Sequence, residues 1–330
     1  MNNKLSIPIV RSLLLLAGGI ALFLFACNGG TENKKTPETP PVAKDIPIPA
    51  FQAENAFAHI EKQLSFGPRV PNTAGHAACA DWIIAELKAA GAQVTTQPAV
   101  VQAFNNTPLN MINIIGSFHP EKQRRIMLTA HWDTRPFADE DSVRKDEPIP
   151  GANDGGSGVG VLLEIARIIG QEAPQVGVDI FFWDAEDYGN SDVPNSYCLG
   201  SQYWAQNKHK PNYTAMYGIN LDMVGAKDAI FSKEGHSLQY APNVVEKVWH
   251  QAHLLGFGQY FSIQRTDPII DDHVYISVRG NVGTIDIIDQ PEGRGFFKHW
   301  HTHGDDIEAI SKETLQAVGQ TLLAVIYKEQ

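Results

Sequence analysis

Val176-Gly-Val-Asp-Ile-Phe-Phe-Trp183 runs directly into Asp184-Ala-Glu186-Asp187. A short run of β-branched and aromatic residues with almost no polar interruption reads as a strand buried on both faces. It stops in a cluster of carboxylates. In an open α/β sheet the ligand site lies beyond the carboxyl ends of the strands, so this stretch delivers its acids to that edge.

Working outward, the arrangement recurs. Arg125-Ile-Met-Leu-Thr-Ala130 reads as a buried strand followed by His131 and Asp133, and Tyr217-Gly-Ile-Asn-Leu221 as another ended by Asp222. Gly283-Thr-Ile-Asp-Ile-Ile288 reads as a further strand, with Trp300-His301-Thr302-His303 beyond it. Pro150-Gly-Ala-Asn-Asp154-Gly-Gly-Ser-Gly158 sets one more carboxylate in a glycine loop, ahead of a helix expected over Val159 to Ile169 and closed by Gly170. Strands are also expected over Gln93 to Phe104 and Met111 to Phe118. Apolar spacing at three- and four-residue steps predicts helices over Ala53 to Phe66, Ala77 to Ala90, Asn243 to Leu255 and Ser311 to Lys328. Alternating helices and short apolar strands predict an α/β fold, a three-layer sandwich with a mostly parallel central sheet flanked by helices.

A single exposed His or Asp in a loop is ordinary. Imidazole and carboxylate groups gathered at several strand ends point to a metal site, and oxygen and nitrogen donors suit zinc without selecting it over other transition ions. Competing motifs fail. The glycine loop lacks the Gly-Lys-Ser/Thr ending of a phosphate-binding loop. Val159 stands where a nucleophile elbow needs its last glycine, and no dinucleotide-binding glycine pattern survives around Gly156 to Gly160. His131-Trp-Asp133 is not a helical His-Glu-x-x-His.

The 330 residues are 43% hydrophobic and 19% charged, which fits a globular chain with a sizeable core. A formal net charge of −11 makes nucleic acid a poor partner, since binding it needs clustered cations. Three cysteines are too few to build a disulfide scaffold. Cys79 and Cys198 either pair in an oxidising compartment or remain two separate buried thiols.

The amino end reads as an address. Lys4 and Arg11 precede an apolar stretch from Ser12 to Phe25, long enough for a signal-peptide core and short of a membrane span. Residues 1–26 are therefore expected to be a signal peptide. Leu24-Phe25-Ala26-Cys27 resembles the lipobox of bacterial lipoproteins, so Cys27 is expected to be lipidated. Asn28, in place of the Asp that retains many such proteins at the inner membrane, favours the outer membrane. The expectation is an exported protein, anchored through Cys27 on the periplasmic side of the cell envelope. Residues 27–50 carry Pro37, Pro40, Pro41, Pro47 and Pro49 and read as a linker, and residues 51–330 as a single catalytic domain.

His131-x-Asp133, Asn153-Asp154, Ala185-Glu186-Asp187, Asn220-Leu-Asp222 and Trp300-His301-Thr302 resemble the metal motifs of the zinc aminopeptidase superfamily. Within it, the stretch from Ser65 onward is similar to the glutaminyl-peptide cyclotransferases of animal type and their bacterial relatives. Ser65-Phe-Gly-Pro-Arg69-Val-Pro71, Tyr197-Cys-Leu-Gly200-Ser201 and Asp271-Asp272-His273 carry that closer likeness.

The resemblance implies zinc-dependent cyclisation of an amino-terminal glutamine of peptides or proteins to pyroglutamate, with ammonia released. One zinc per chain would be held by Asp154, Asp187 and His301. Glu186 would be the general acid/base, and Asp271 and Asp222 would steady the substrate amine and leaving group. Trp300, Ile269 and Phe296 would wall the glutamine pocket, with His131 and Asp133 standing behind the ligands. The related enzymes carry a strained, often cis, peptide after the residue matched by Asp154, here the bond to Gly155. Residues 188–194 lack the Trp that the animal enzymes carry there. Asp286 has no clear match, Asp271 is chosen over Asp272 by eye, and His299 or His303 could replace His301. A two-zinc aminopeptidase remains open because every ligand type it needs is present, and a non-catalytic binding lipoprotein is the third reading.

Overall fold

In the computed structural model, which describes residues 46–330, two helices lead: α1 (Ala53–Leu64) and α2 (Ala74–Ala89). The expected signal peptide, Cys27 and most of the linker lie outside the described residues. Then come β1 (Gln93–Gln102), β2 (Pro108–Phe118), β3 (Arg125–His131), α3 (Gly156–Gln171) and β4 (Gly177–Trp183). The carboxyl half adds α4 (Leu199–Gln206), β5 (Gly218–Asp222), β6 (Phe231–Lys233), α5 (Gly235–Tyr240) and α6 (Pro242–Leu254). It closes with β7 (Phe261–Arg265), α7 (Asp272–Val278), β8 (Thr284–Ile288) and α8 (Lys312–Lys328).

Six strands form the central sheet in the order β1-β2-β4-β3-β5-β8. β4, β3, β5 and β8 run parallel, while β2 meets both β1 and β4 antiparallel at one edge. Alternation along the strands shows why both faces are covered. Ile126, Leu128 and Ala130 of β3, with Val178, Ile180 and Phe182 of β4, join the core under α1, α2, α3, α6 and α8. Met127, Phe181 and Trp183 point the other way, against Trp204 of α4 and Ile276 of α7. Successive side chains of a strand face opposite sides, so an unbroken apolar run needs two helical layers. β6 and β7 form a separate two-stranded parallel pair.

Two expectations change at α3. The helix starts at Gly156, before the apolar periodicity begins, because the glycine loop turns straight into it. Gly170 does not close it but lies inside its last turn. A Cβ there would stand 1.9 Å from the Ala90 carbonyl oxygen, so Gly170 permits α3 to pass closely by the end of α2. β6, β7, α4, α5 and α7 escaped the sequence reading, since segments of three to eight residues are too short to show a period.

Candidate metal centre

The parallel strands end at one edge of the sheet. His131 closes β3, Asp222 closes β5, Asp184 to Asp187 follow β4, Asp154 lies in the loop before α3, and His301 lies beyond β8. Four groups of three donors, with ligand atoms within 4.8 Å of one another, occur among the described residues, and two of them share Asp154: Asp154, Asp187 and His301, and His131, Asp154 and Asp222. His301 Nε2 stands 3.2 Å from Asp187 Oδ1 and 3.8 Å from Asp154 Oδ2. His131 Nε2 stands 3.1 Å from Asp154 Oδ1 and 3.2 Å from Asp222 Oδ1.

The backbone around these groups is held by carboxylates behind them. Asp133 accepts from the amides of Glu186 and Asp187 at 3.0 and 3.2 Å. Asp305 does the same for Asn153 and Asp154 at 2.7 and 3.0 Å. The buried Arg69 donates to the Gly151 carbonyl at 2.6 Å and to that of Pro150, pinning the glycine loop. Gly155 has φ +81°, and a Cβ on it would meet the Asp133 carbonyl oxygen at 2.5 Å. No cis peptide occurs among the described residues, so the bond after Asp154 is trans and the loop turns on the φ of Gly155 instead. Ala185, Met223 and His301 also take positive φ, of 52, 49 and 54°. Such conformations cost residues with a Cβ and gather where surrounding contacts over-determine them.

His301 Nδ1 faces Asp139 Oδ1 at 3.4 Å, and Asp139 receives Arg135 Nε and Nη2 at 2.7 and 2.6 Å. Arg135 also donates to the Asp187 carbonyl at 3.0 Å. One imidazole nitrogen is thereby committed to a carboxylate, which turns the other toward Asp154 and Asp187. That is the usual support for a metal-binding histidine. Burial opposes a charge on His301, but Asp187, Asp139 and Asp154 outweigh it and pull its pKa up to about 9. Burial pushes the Asp187 carboxyl up, with Asp154 beside it adding to the effect. Asp187 Oδ2 is buried without a hydrogen-bond partner among the described residues. Crowded acids with an unsatisfied oxygen, converging with an imidazole, fit a divalent cation.

A cavity of about 350 Å³ opens over this edge. Glu186, Asp222, Asp271, Ile269, Phe296 and Trp300 all line it, as do Asp154, Asp187 and His301. The Trp300 ring stacks on His301 with centroids 3.7 Å apart and meets Phe296 at 4.9 Å. The wall left open by residues 188–194 is completed by Val193, Pro194 and Tyr197, among others. Burial drives the Glu186 carboxyl well above the ordinary range, Asp187, Asp271 and Asp272 reinforce it, and His131 opposes it.

The remaining expectations sort by position. Asp271 caps α7 and reaches the cavity, whereas Asp272 is buried behind it. His303 is taken up by Asp141 at 2.8 Å, and His299 lines a neighbouring hollow, so neither joins the donor groups. Cys79 and Cys198 are both free and buried. Asp305, Arg135 and Asp139 were missed. Each acts on residues distant in sequence, and only proximity of the folded chain reveals them.

A helix-flanked, largely parallel sheet thus gathers acid and imidazole donor groups at its carboxyl edge. The chain belongs to peptidase family M28, whose model matches residues 113–326. Among solved structures, a Zn-dependent exopeptidase from Parabacteroides distasonis is 52% identical, with a TM-score of 0.84 over 86% of this chain and 100% of its own. A glutaminyl cyclase from Tannerella forsythia is 51% identical, with a TM-score of 0.83 over the same shares. An aminopeptidase of Bacillus subtilis is 29% identical over 273 residues, 80% of this chain and 54% of that protein. The chain thus spans about half the length of that curated relative.

Proposed function

We propose that the protein is a zinc-dependent glutaminyl-peptide cyclotransferase, converting the amino-terminal glutamine of peptides or proteins to pyroglutamate and ammonia. The observation that carries the reading is a small, aromatic-walled cavity in which Glu186 stands beside the donor group Asp154, Asp187 and His301. The likeness to the Tannerella glutaminyl cyclase, over the whole of that chain, supports it. The two-zinc alternative is favoured by one observation, the further donor group of His131, Asp154 and Asp222, and by the likeness to the Parabacteroides exopeptidase.

Asp154, Asp187 and His301 would hold one zinc ion per chain, which when bound supplies Lewis acidity at the γ-amide carbonyl. His131 and Asp222 then serve as hydrogen-bonding neighbours, with Asp133 fixing the Glu186-Asp187 backbone. Glu186 takes a proton from the substrate α-amine as its nitrogen forms a bond to the carbonyl carbon of the γ-amide, and returns it to the departing nitrogen as the C–NH2 bond breaks. Asp271 and Asp222 orient the amine. Trp300, Phe296 and Ile269 enclose the glutamine side chain and keep water from competing with the internal nucleophile. No step needs an attacking water.

Residues 1–26 act as a signal peptide and Cys27 carries the lipid, with residues 27–50 as a tether and 51–330 as the catalytic domain at the periplasmic face of the envelope, the outer membrane favoured. The apolar stretch from Ser12 to Phe25 ending at Cys27 supports this placement. Cys27→Ser should move the protein from the membrane to the soluble fraction, and equal partition of the two forms refutes it.

Purified zinc-loaded protein given a Gln-initiated peptide should release ammonia and leave the peptide otherwise intact. Release of free amino acids from Gln- and Leu-initiated peptides, with two zinc ions per chain by elemental analysis, would establish the aminopeptidase instead.

A further inference from the structure

The loop after β4 and the start of α4 are joined at both main chain and side chain. The Cys198 amide donates to the Glu186 carbonyl at 2.8 Å, and the Leu199 amide to that of Ala185 at 3.1 Å. Cys198 Sγ lies 3.1 Å from Glu186 Oε1 and 4.0 Å from Asp271 Oδ1. Both Ala185 and Cys198 are left-handed, with φ of 52 and 59°. Two non-glycine residues in that region, facing each other across two backbone hydrogen bonds, mark a turn that the surroundings impose.

We propose that Cys198 is a positioning residue for Glu186: its thiol donates the one side-chain hydrogen bond that the Glu186 carboxyl receives among the described residues, and so aims that carboxyl into the cavity. The proposal rests on the reading of Glu186 as the proton carrier. The thiol is fully buried. Burial and the charges of Glu186, Asp272 and Asp271 hold its pKa well above the ordinary value, so it keeps its proton and stays a donor.

Three carboxylates behind the site, Asp133, Asp305 and Glu234, are anchored more firmly. Asp133 and Asp305 each accept from two backbone amides. Glu234 accepts from the amides of His236 and Ser237, from the Ser237 hydroxyl and from His273. The Glu186 carboxyl has only the Cys198 thiol to orient it among the described side chains, so its aim depends on that one donor.

The test compares Cys198→Ala and Cys198→Ser in the full-length, zinc-loaded protein, measuring kcat, KM and zinc content with a Gln-initiated peptide. Cys198→Ala should lower kcat by about tenfold, the scale of one modest hydrogen bond at the reacting charge, while KM and zinc content stay put. Cys198→Ser, which restores a donor, should recover most of that loss. A residue that merely fills space would let Cys198→Ala keep its kcat, or would raise KM and release zinc, and either result overturns the proposal. A second readout is independent of turnover. The infrared S–H stretch, isolated by subtracting the matching Cys198→Ser protein from each sample, should move to higher frequency in Glu186→Ala, where the thiol loses its acceptor. An unmoved band refutes the hydrogen bond. Should the wild type form no pyroglutamate, the functional reading falls, and the band alone decides whether Cys198 holds Glu186.

Discussion

Two acidic clusters lie at the carboxyl edge of the sheet, and each offers three metal-type donors within 4.8 Å: Asp154, Asp187 and His301, and Asp271, His273 and Asp286. Every member of the first lines the cavity, while only Asp271 of the second does so. In the second, Asp271 Oδ2 and Asp286 Oδ1 both accept from Asn220 Nδ2, at 2.9 and 3.2 Å, and His273 Nε2 is committed to Glu234 at 3.1 Å. Burial pushes Asp286 well above the usual carboxylate range, with Asp271 and Asp222 adding to it. In that cluster the neutral Asn220 amide bridges the two carboxyls. The first leaves Asp187 Oδ2 without a partner among the described residues, with His301 Nε2 3.2 Å from Oδ1 of the same carboxylate; the second likewise leaves Asp286 Oδ2 and His273 Nδ1 unpartnered. Neither donor count nor unsatisfied lone pairs therefore distinguish a metal site from a buried hydrogen-bonded network. Access does.

The sharpest way to break that contrast is to separate proton transfer from metal binding. Glu186→Gln should keep its zinc and still bind a glutaminyl peptide while turnover falls by about 10²–10⁴-fold, the usual worth of a positioned acid/base. Wild-type turnover in that variant would end the mechanism. Next in size, Asp187→Asn should lose zinc and activity together, because a neutral amide is a poor ligand. Asp286→Asn should retain full zinc by elemental analysis, with a smaller loss of rate. If Asp286→Asn empties the protein of metal, the two clusters have been assigned the wrong way round.

A subtler effect is expected behind the ligands. Asp305→Ala leaves the buried amides of Asn153 and Asp154 without their acceptor, at about 1–3 kcal/mol for each such group. Thermal denaturation should show the loss, and chelator competition should show zinc held about 10–100-fold more weakly, as when supporting partners are removed elsewhere. The smallest change concerns the rim. Ile270 and Val193 line the cavity yet are 59% and 40% exposed, and no Lys or Arg lines it. Peptides with an apolar second residue should be preferred over those with Asp or Glu there. Ile270→Ser should reduce that preference by a few-fold, in line with about 1 kcal/mol of partial burial, as read from kcat/KM on paired substrates.

Much of the donor set was legible before folding because several of its members follow directly on an apolar strand, so a local pattern and one rule about sheet edges place them together. His131, Asp222 and the Glu186-Asp187 pair all follow that logic. Asp305 carried no such signal. It lies in a polar loop, and its partners are 151 and 152 residues away. The Arg135 and Asp139 support for His301 is hidden in the same way, since neither adjoins a strand.

What the chain determines by itself is the alternation of buried strands and helices, and with it the edge to which its acids and imidazoles are sent. Periodicity is a property of neighbouring residues, and so it survives in one dimension. The tertiary structure alone decided that α3 passes α2 closely enough to require Gly170, that the turn after Asp154 runs through a trans bond at Gly155, and that His303 belongs to Asp141. It also decided that Cys198 meets Glu186 rather than Cys79. Those outcomes depend on distances of a few ångströms between segments remote in sequence, set by packing of the whole sheet and its two helical layers.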